Sequence, residues 1–209
     1  MDLLTKGHTM MTLVPESLPI TTPANHVHGP EQGHWTYDDY ASIPDDGKRY
    51  EVMNGVLFMS PAPDKWHQKA ILRIAKYLSA HIEDTGLGEV YIAPFDVELS
   101  PKTVVQPDVL VLLKPHLDKA TNKRVIGAPD LVVEVASPGT AMYDRREKLD
   151  AYIQAGVPEY WIVDPASRTL EVLVIEAGTY SSHGIFEEAM TISSKIIPDF
   201  PVHIEQFFV

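Results

Sequence analysis

Val104-Val105-Gln106-Pro107-Asp108-Val109-Leu110-Val111-Leu112-Leu113 and, later in the chain, Asp130-Leu131-Val132-Val133-Glu134-Val135-Ala136 are short apolar runs interrupted by the acids Asp108 and Glu134. Their length and β-branched content read as strands buried on both faces. Alternate side chains of a strand share a face, so Asp108 is expected beside Gln106 and Leu110, and Glu134 beside Asp130, Val132 and Ala136. An ionised carboxylate buried without a partner costs several kcal/mol, so each acid must be paired, protonated or bound to a cation. Ser137-Pro138-Gly139-Thr140 then turns the chain into a helix over 144–156, closed by Gly156. On it Asp144, Lys148 and Tyr152 recur every fourth residue and share one face. Glu159 to Asp164 returns as another apolar strand, and Ala166-Ser167-Arg168 turns it into a hairpin with Thr169 to Ile175.

Outward from this stretch, Asn54-Gly55 between Tyr50-Glu51-Val52-Met53 and Val56-Leu57-Phe58-Met59 signals a two-residue hairpin. Thr36 is the expected N-cap of a short helix, and Asp64 that of a longer one over 64–83. The longer helix buries a stripe of Ile71, Ala75, Leu78 and Ile82, heads it with His67, and places Lys69, Arg73 and Lys76 elsewhere. Glu89 to Leu99 reads as a single strand, at an edge or bulged because of Pro94. Lys114 to Arg124 is a polar connection. The tail after Ile196 is a final packing element. Residues 1–33, rich in Pro, Thr, His and Gly, read as a loosely structured arm, and residues 34–209 as one domain. The arm's histidines lack the spacing of a metal motif.

The composition narrows the function. With 44% hydrophobic and 22% charged residues, the 209-residue chain resembles an ordinary globular protein with enough length for a real core. It has no cysteine, which removes disulfides, thiolate metal sites and a cysteine nucleophile. No apolar run approaches the roughly 20 residues of a membrane span, and Met1 to His8 lacks the pattern of a signal peptide, so a cytoplasmic location is expected and no membrane partner. The net charge of −12 argues against a nonspecific nucleic-acid coat and restricts any such contact to a local patch. The absence of a glycine-rich turn after a strand removes a dinucleotide-binding enzyme.

Two strand carboxylates with a nearby lysine suit metal-assisted phosphodiester hydrolysis, in which oxygen ligands hold Mg²⁺ or Mn²⁺ and an ammonium stabilises developing charge. Pro107-Asp108, Glu134 and Lys148 resemble the PD-(D/E)XK nuclease signature with one departure, because the lysine usual two residues after the second acid is replaced by Ala136. Lys148 on the next helix is its replacement. From about Trp35 to the C-terminus the chain also resembles the Uma-two family of restriction-endonuclease-like proteins. The matching segments include Arg49 to Gly55, His67-Gln68, Ala93 to Ser100, Val105 to Asp108, Pro129 to Val135 with Ser137-Pro138, Asp144 through Lys148 to Tyr152, and Gly156 to Asp164.

The resemblance implies an α/β (α+β) restriction-endonuclease-like fold, with a mixed central β-sheet flanked by helices and preceded by an N-terminal β-hairpin region. It also implies a lysine placed on the helix. The expected function is a metal-dependent endonuclease acting on DNA, with Asp108 and Glu134 as metal ligands and Lys148 as the third catalytic residue. Gln106, Tyr152, His67 and Glu51 are secondary candidates. The alternative is a catalytically silent nuclease-fold protein that binds nucleic acid or a protein partner. A homodimer is expected in either case. A basic rim built from Lys114, Lys119, Lys123, Arg145 and Arg146 around Asp108 would favour DNA.

Overall fold

Both long apolar runs break where a proline enters, and the breaks sort the chain into two sheets. In the computed structural model, which describes residues 20–137 and 143–208, the expected single strand from Glu89 to Leu99 is two strands. These are β4 (Gly88–Ile92) and β5 (Asp96–Ser100), separated at a cis Ala93–Pro94 bond. The run from Val104 likewise divides into β6 (Thr103–Val105) and β7 (Val109–Leu113), with Gln106-Pro107-Asp108 passing between the sheets. In the second run hydrophobic periodicity does not register the change of sheet, because Val105 and Val109 on either side of it are both buried.

The first sheet has the order β1-β3-β2-β6-β5-β8, where β1 is Thr22–Pro23, β2 is Arg49–Met53, β3 is Val56–Ser60 and β8 is Arg124–Ile126. The second has the order β12-β11-β10-β9-β7-β4, with β9 at Leu131–Val135, β10 at Glu159–Asp164, β11 at Thr169–Glu176 and β12 at Thr179–Glu187. Both sheets are mixed, since β5 runs parallel to β8 and β9 parallel to β10. The expected β10–β11 hairpin forms, with Asp164 opposite Thr169. The stretch read as an arm carries structure at its end, for Thr22 pairs with Met59 and Ala24 is buried; residues 1–19 lie outside the described residues.

Among the described residues three α-helices complete the fold. Helix α1 (Tyr37–Ala41) starts at Thr36, whose hydroxyl and Asp39 form a reciprocal capping box. In α2 (Lys65–Ile82) the Asp64 carboxylate accepts the amides of Trp66 and His67, each at 2.9 Å. Its buried stripe is Ala70, Ile71, Ile74, Leu78 and Ile82, while Ala75 is only partly covered. Helix α3 (Leu149–Ala155) continues from a π-helical turn at Asp144–Lys148 and ends at Gly156 in the left-handed region, φ 79°. Among the described residues no helix is long and apolar enough to cross a membrane.

Strand alternation divides the core. Val109, Val111, Leu131 and Val133 face α2, joined by Phe200, Ile204 and Phe207 of the C-terminal segment. Leu110 and Val132 point the other way, to Met53, Val97 and Val105 of the first sheet and to Ala151 and Tyr152 of α3. The C-terminal segment is held by Glu159, fully buried at the start of β10. Its carboxylate accepts the Trp161 indole and the Ser194 hydroxyl at 2.6 Å each, the Lys195 amide at 2.8 Å and the Ile196 amide at 3.3 Å.

The β2–β3 turn is a second anchor. Asn54 and Gly55 both have positive φ, 51° and 77°, the geometry of a two-residue hairpin. The Gly55 amide donates to Lys102 O, and its carbonyl accepts from Gly33 and Trp35. A Cβ there would lie 2.4 Å from Gly33 O. Gly55→Ala therefore combines backbone strain with a backbone clash, and is expected to cost about 2–4 kcal/mol, read as a lower urea midpoint with an unchanged slope.

Candidate active site

Asp108 and Glu134 are brought together by strand register. Strands β7 and β9 are antiparallel with Val109 opposite Val133 and Leu110 opposite Val132, so one further step sets Asp108 opposite Glu134. Both acids are almost fully buried and line one small cavity of about 20 Å³ with Arg49, His67, Tyr143 and Lys148. Such a space holds about one water or one small ion.

The lysine reaches the acids from the π-helical turn before α3. Lys148 Nζ lies 2.9 Å from Glu134 Oε1 and 3.0 Å from Glu51 Oε1, with 4% of the residue exposed. Lys148 and Tyr152 stand four residues apart and converge on one atom, for the Tyr152 hydroxyl donates to Glu134 Oε1 at 2.7 Å. Burial, and then the Glu134 charge, push the Tyr152 hydroxyl well above its usual pKa, so it stays a proton donor to the carboxylate. The side chain of Asp144, expected on the same face, lies outside the described residues.

Asp108 is held from the α2 side. His67 Nε2 lies 3.1 Å from Asp108 Oδ2, which also accepts the Val135 amide at 2.8 Å. Burial alone would raise the Asp108 pKa, but His67, then Arg49 and Lys148, outweigh it and hold the carboxyl below its ordinary value. Asp108 Oδ1 has the Arg49 guanidinium at 3.8 Å, beyond hydrogen-bond reach.

Glu51, a secondary candidate from sequence, proves to be part of the ion-pair network. Its Oε1 accepts the Gln106 amide at 2.8 Å as well as the Lys148 ammonium, and its buried Oε2 has no hydrogen-bond partner. Gln106 departs from its expected place. Its backbone belongs to the site, through Glu51 and through a 3.0 Å bond from Arg49 to its carbonyl, but its side-chain amide points to Tyr40 and Asp96. Proline at 107 and the passage to the other sheet interrupt the alternation that would have set Gln106 beside Asp108.

Arg49 was not singled out from sequence, although the period of two in Arg49-Tyr50-Glu51 places it on the face of Glu51. None of the five basic residues whose rim around Asp108 would favour DNA lines this cavity. Lys114 follows β7 at the end opposite Asp108, roughly 20 Å away by strand rise. Lys119 donates to Ala128 O, Lys123 lines a separate cavity with Asp45 and Asp46, and Arg145 pairs with Glu171 at 2.9 Å. The expected polar connection contains a 3-10 helix at Lys114–Lys119, and its His116 bonds Asp130 at 2.7 Å.

A mixed sheet flanked by helices is the architecture of the restriction-endonuclease-like fold, and here its paired strand acids meet a lysine supplied from the helix rather than from position 136. The chain superimposes at a TM-score of 0.69 on a crystal structure from Anabaena variabilis described as "a putative nuclease belonging to DUF820", covering 83% of this chain and 97% of that one at 16% identity. Residues 37–205 match the model of the Uma2 family, described as "Putative restriction endonuclease", and the chain belongs to that family. No curated protein matches it.

Proposed function

We propose that this protein is a metal-dependent nuclease that hydrolyses phosphodiester bonds in DNA. One observation carries the reading: the Lys148 ammonium is held 2.9 Å from Glu134, and Asp108 stands opposite Glu134 on the wall of the same cavity.

The donor set fits Mg²⁺ or Mn²⁺. It is made of carboxylate oxygens, Asp108 Oδ1 is outside hydrogen-bond reach of Arg49, and Glu51 Oε2 is buried without a partner. Among the described residues there is no group of three His, Cys, Asp or Glu suited to a metal ion, so Asp108 and Glu134 would hold the cation together with water and substrate oxygens, as Mg²⁺ commonly requires. A divalent cation would supply Lewis-acid polarisation of the phosphoryl group. Lys148 adds a fixed positive charge beside the reacting phosphate, and Tyr152 and Glu51 fix where that charge sits. His67 and the Val135 amide orient Asp108. Arg49, at the cavity wall, is placed to meet a phosphate oxygen.

A second reading, a silent nuclease-fold protein that binds nucleic acid or a protein, is favoured by the saturation of the ion pairs. Glu134 Oε1 and Asp108 Oδ2 each already have two partners, and Lys148 is shared between two carboxylates. Cleavage of supercoiled plasmid and of single-stranded DNA across a Mg²⁺ and Mn²⁺ titration separates the two. Wild type is expected to cut only with metal, and Glu134→Ala to lose the activity. A wild-type protein that cuts neither substrate at any metal concentration establishes the silent reading instead. A homodimer and a cytoplasmic location belong to the same proposal, and sedimentation velocity of the full chain tests the first.

A further inference from the structure

Helix α2 concentrates positive charge in an acidic protein. Its 18 residues carry Lys65, Lys69, Arg73 and Lys76 and no Asp or Glu, although the chain has 29 acidic residues against 17 Lys and Arg. Steps of four, four and three residues keep the four cations on one stripe about 16 Å long. The stripe starts beside His67, the residue that touches Asp108.

Trp66 stands at the same end. It is 56% exposed, with the Lys65 and Lys69 ammoniums 4.7 and 5.5 Å from a ring centroid. Lining the same cavity of about 390 Å³ are Arg168 and Phe208, whose guanidinium and ring are 5.5 Å apart. That cavity shares His67 with the carboxylate cavity, and Ala136 in its wall lies two residues after Glu134. The acid in its lining, Asp64, is already bonded to the Trp66 and His67 amides.

Cations in a row beside an exposed aromatic face match a single strand, whose phosphates take the charge and whose bases are free to stack. Bases in a duplex are stacked on one another and present no face to an indole. We infer that this groove docks an unpaired nucleic-acid strand, with phosphates along Lys65, Lys69, Arg73 and Lys76 and a base against Trp66, leading the adjoining phosphodiester to Asp108 and Glu134. The inference rests on the nuclease reading for the strand's direction, but binding is measurable without cleavage.

The test is fluorescence anisotropy of a labelled 12-residue oligothymidylate with the full chain in EDTA, alongside tryptophan emission. Trp35 and Trp161 are buried, at 1% and 0% exposure, so quenching on binding reports Trp66. The single strand is expected to bind more tightly than a duplex of equal length. Trp66→Ala should weaken binding about 5- to 100-fold and abolish the quench, while Trp66→Phe keeps most of the affinity. Lys69→Ala/Arg73→Ala should flatten the slope of log affinity against log salt by about 1.4. Tighter duplex binding, or unchanged affinity in Trp66→Ala together with an unchanged salt slope in the double variant, overturns the inference. If Trp66→Ala does not fold, the salt slope of the double variant decides. Strand binding by a protein that never cuts would sink the nuclease reading and leave the docking groove. Cleavage with binding indifferent to these residues would do the reverse.

Discussion

Replacing Lys148 by methionine is expected to lower cleavage by roughly 10²–10³-fold, the usual loss for a donor that stabilises developing charge. It should also destabilise the protein. The ammonium bridges two buried carboxylates, Glu134 and Glu51, at 2.9 and 3.0 Å. Its removal leaves two uncompensated acids facing each other, and breaking a buried ion pair typically costs about 3–5 kcal/mol. For a chain of this size that is a fall of about 6–20 °C in thermal midpoint, read by calorimetry. Lys148→Met/Glu51→Gln separates the two effects. It should recover much of the lost stability while cleavage stays low. Recovery of both would show that the lysine acts only through folding, and a single variant as active as wild type would remove Lys148 from the site.

Glu159→Ala should be as severe for stability without touching the carboxylate cavity. Glu159 accepts four hydrogen bonds, from the Trp161 indole, the Ser194 hydroxyl and the amides of Lys195 and Ile196. Each donor left without an acceptor costs about 1–3 kcal/mol where water cannot replace it, and three of the four, on Ser194, Lys195 and Ile196, sit on the segment that leads to Phe200 and the tail. A total of about 3–5 kcal/mol is expected, with the Lys195 and Ile196 amides exchanging faster in deuterium. Glu159→Gln keeps one acceptor oxygen and should cost less. Wild-type exchange at those two amides in Glu159→Ala would show that the segment is held by its apolar side chains alone.

Much of the site was legible because it depends on local spacing. The four-residue step from Lys148 to Tyr152 puts both on Glu134, and a period of two sets Glu134 with Val132 toward α3. The Asn54-Gly55 hairpin, the Asp64 cap and the return at Gly156 were equally plain, since each is fixed by the backbone preference of one or two residues. What escaped is set by tertiary placement. Strand β12 is polar and largely exposed, so it offers no alternation to read. Glu51 gained its weight only when the first sheet brought it to Lys148, and Arg49 came with it. The cations of α2 registered merely as residues off the buried stripe. Their nearness to His67 gives them a meaning that Lys114 and Lys123 lack.

Lys148 also acts as a gauge between layers. One of its carboxylates stands on β2 of the first sheet and the other on β9 of the second, both at hydrogen-bond distance. Sliding one layer past the other by a single ångström would stretch one of those contacts to about 4 Å, beyond a hydrogen bond. The tolerance for misalignment is therefore smaller than the width of a methyl group. Substitutions at Met53 or Leu110, buried in the cluster common to both sheets, would consequently detune the proposed reaction while leaving every charged group in place.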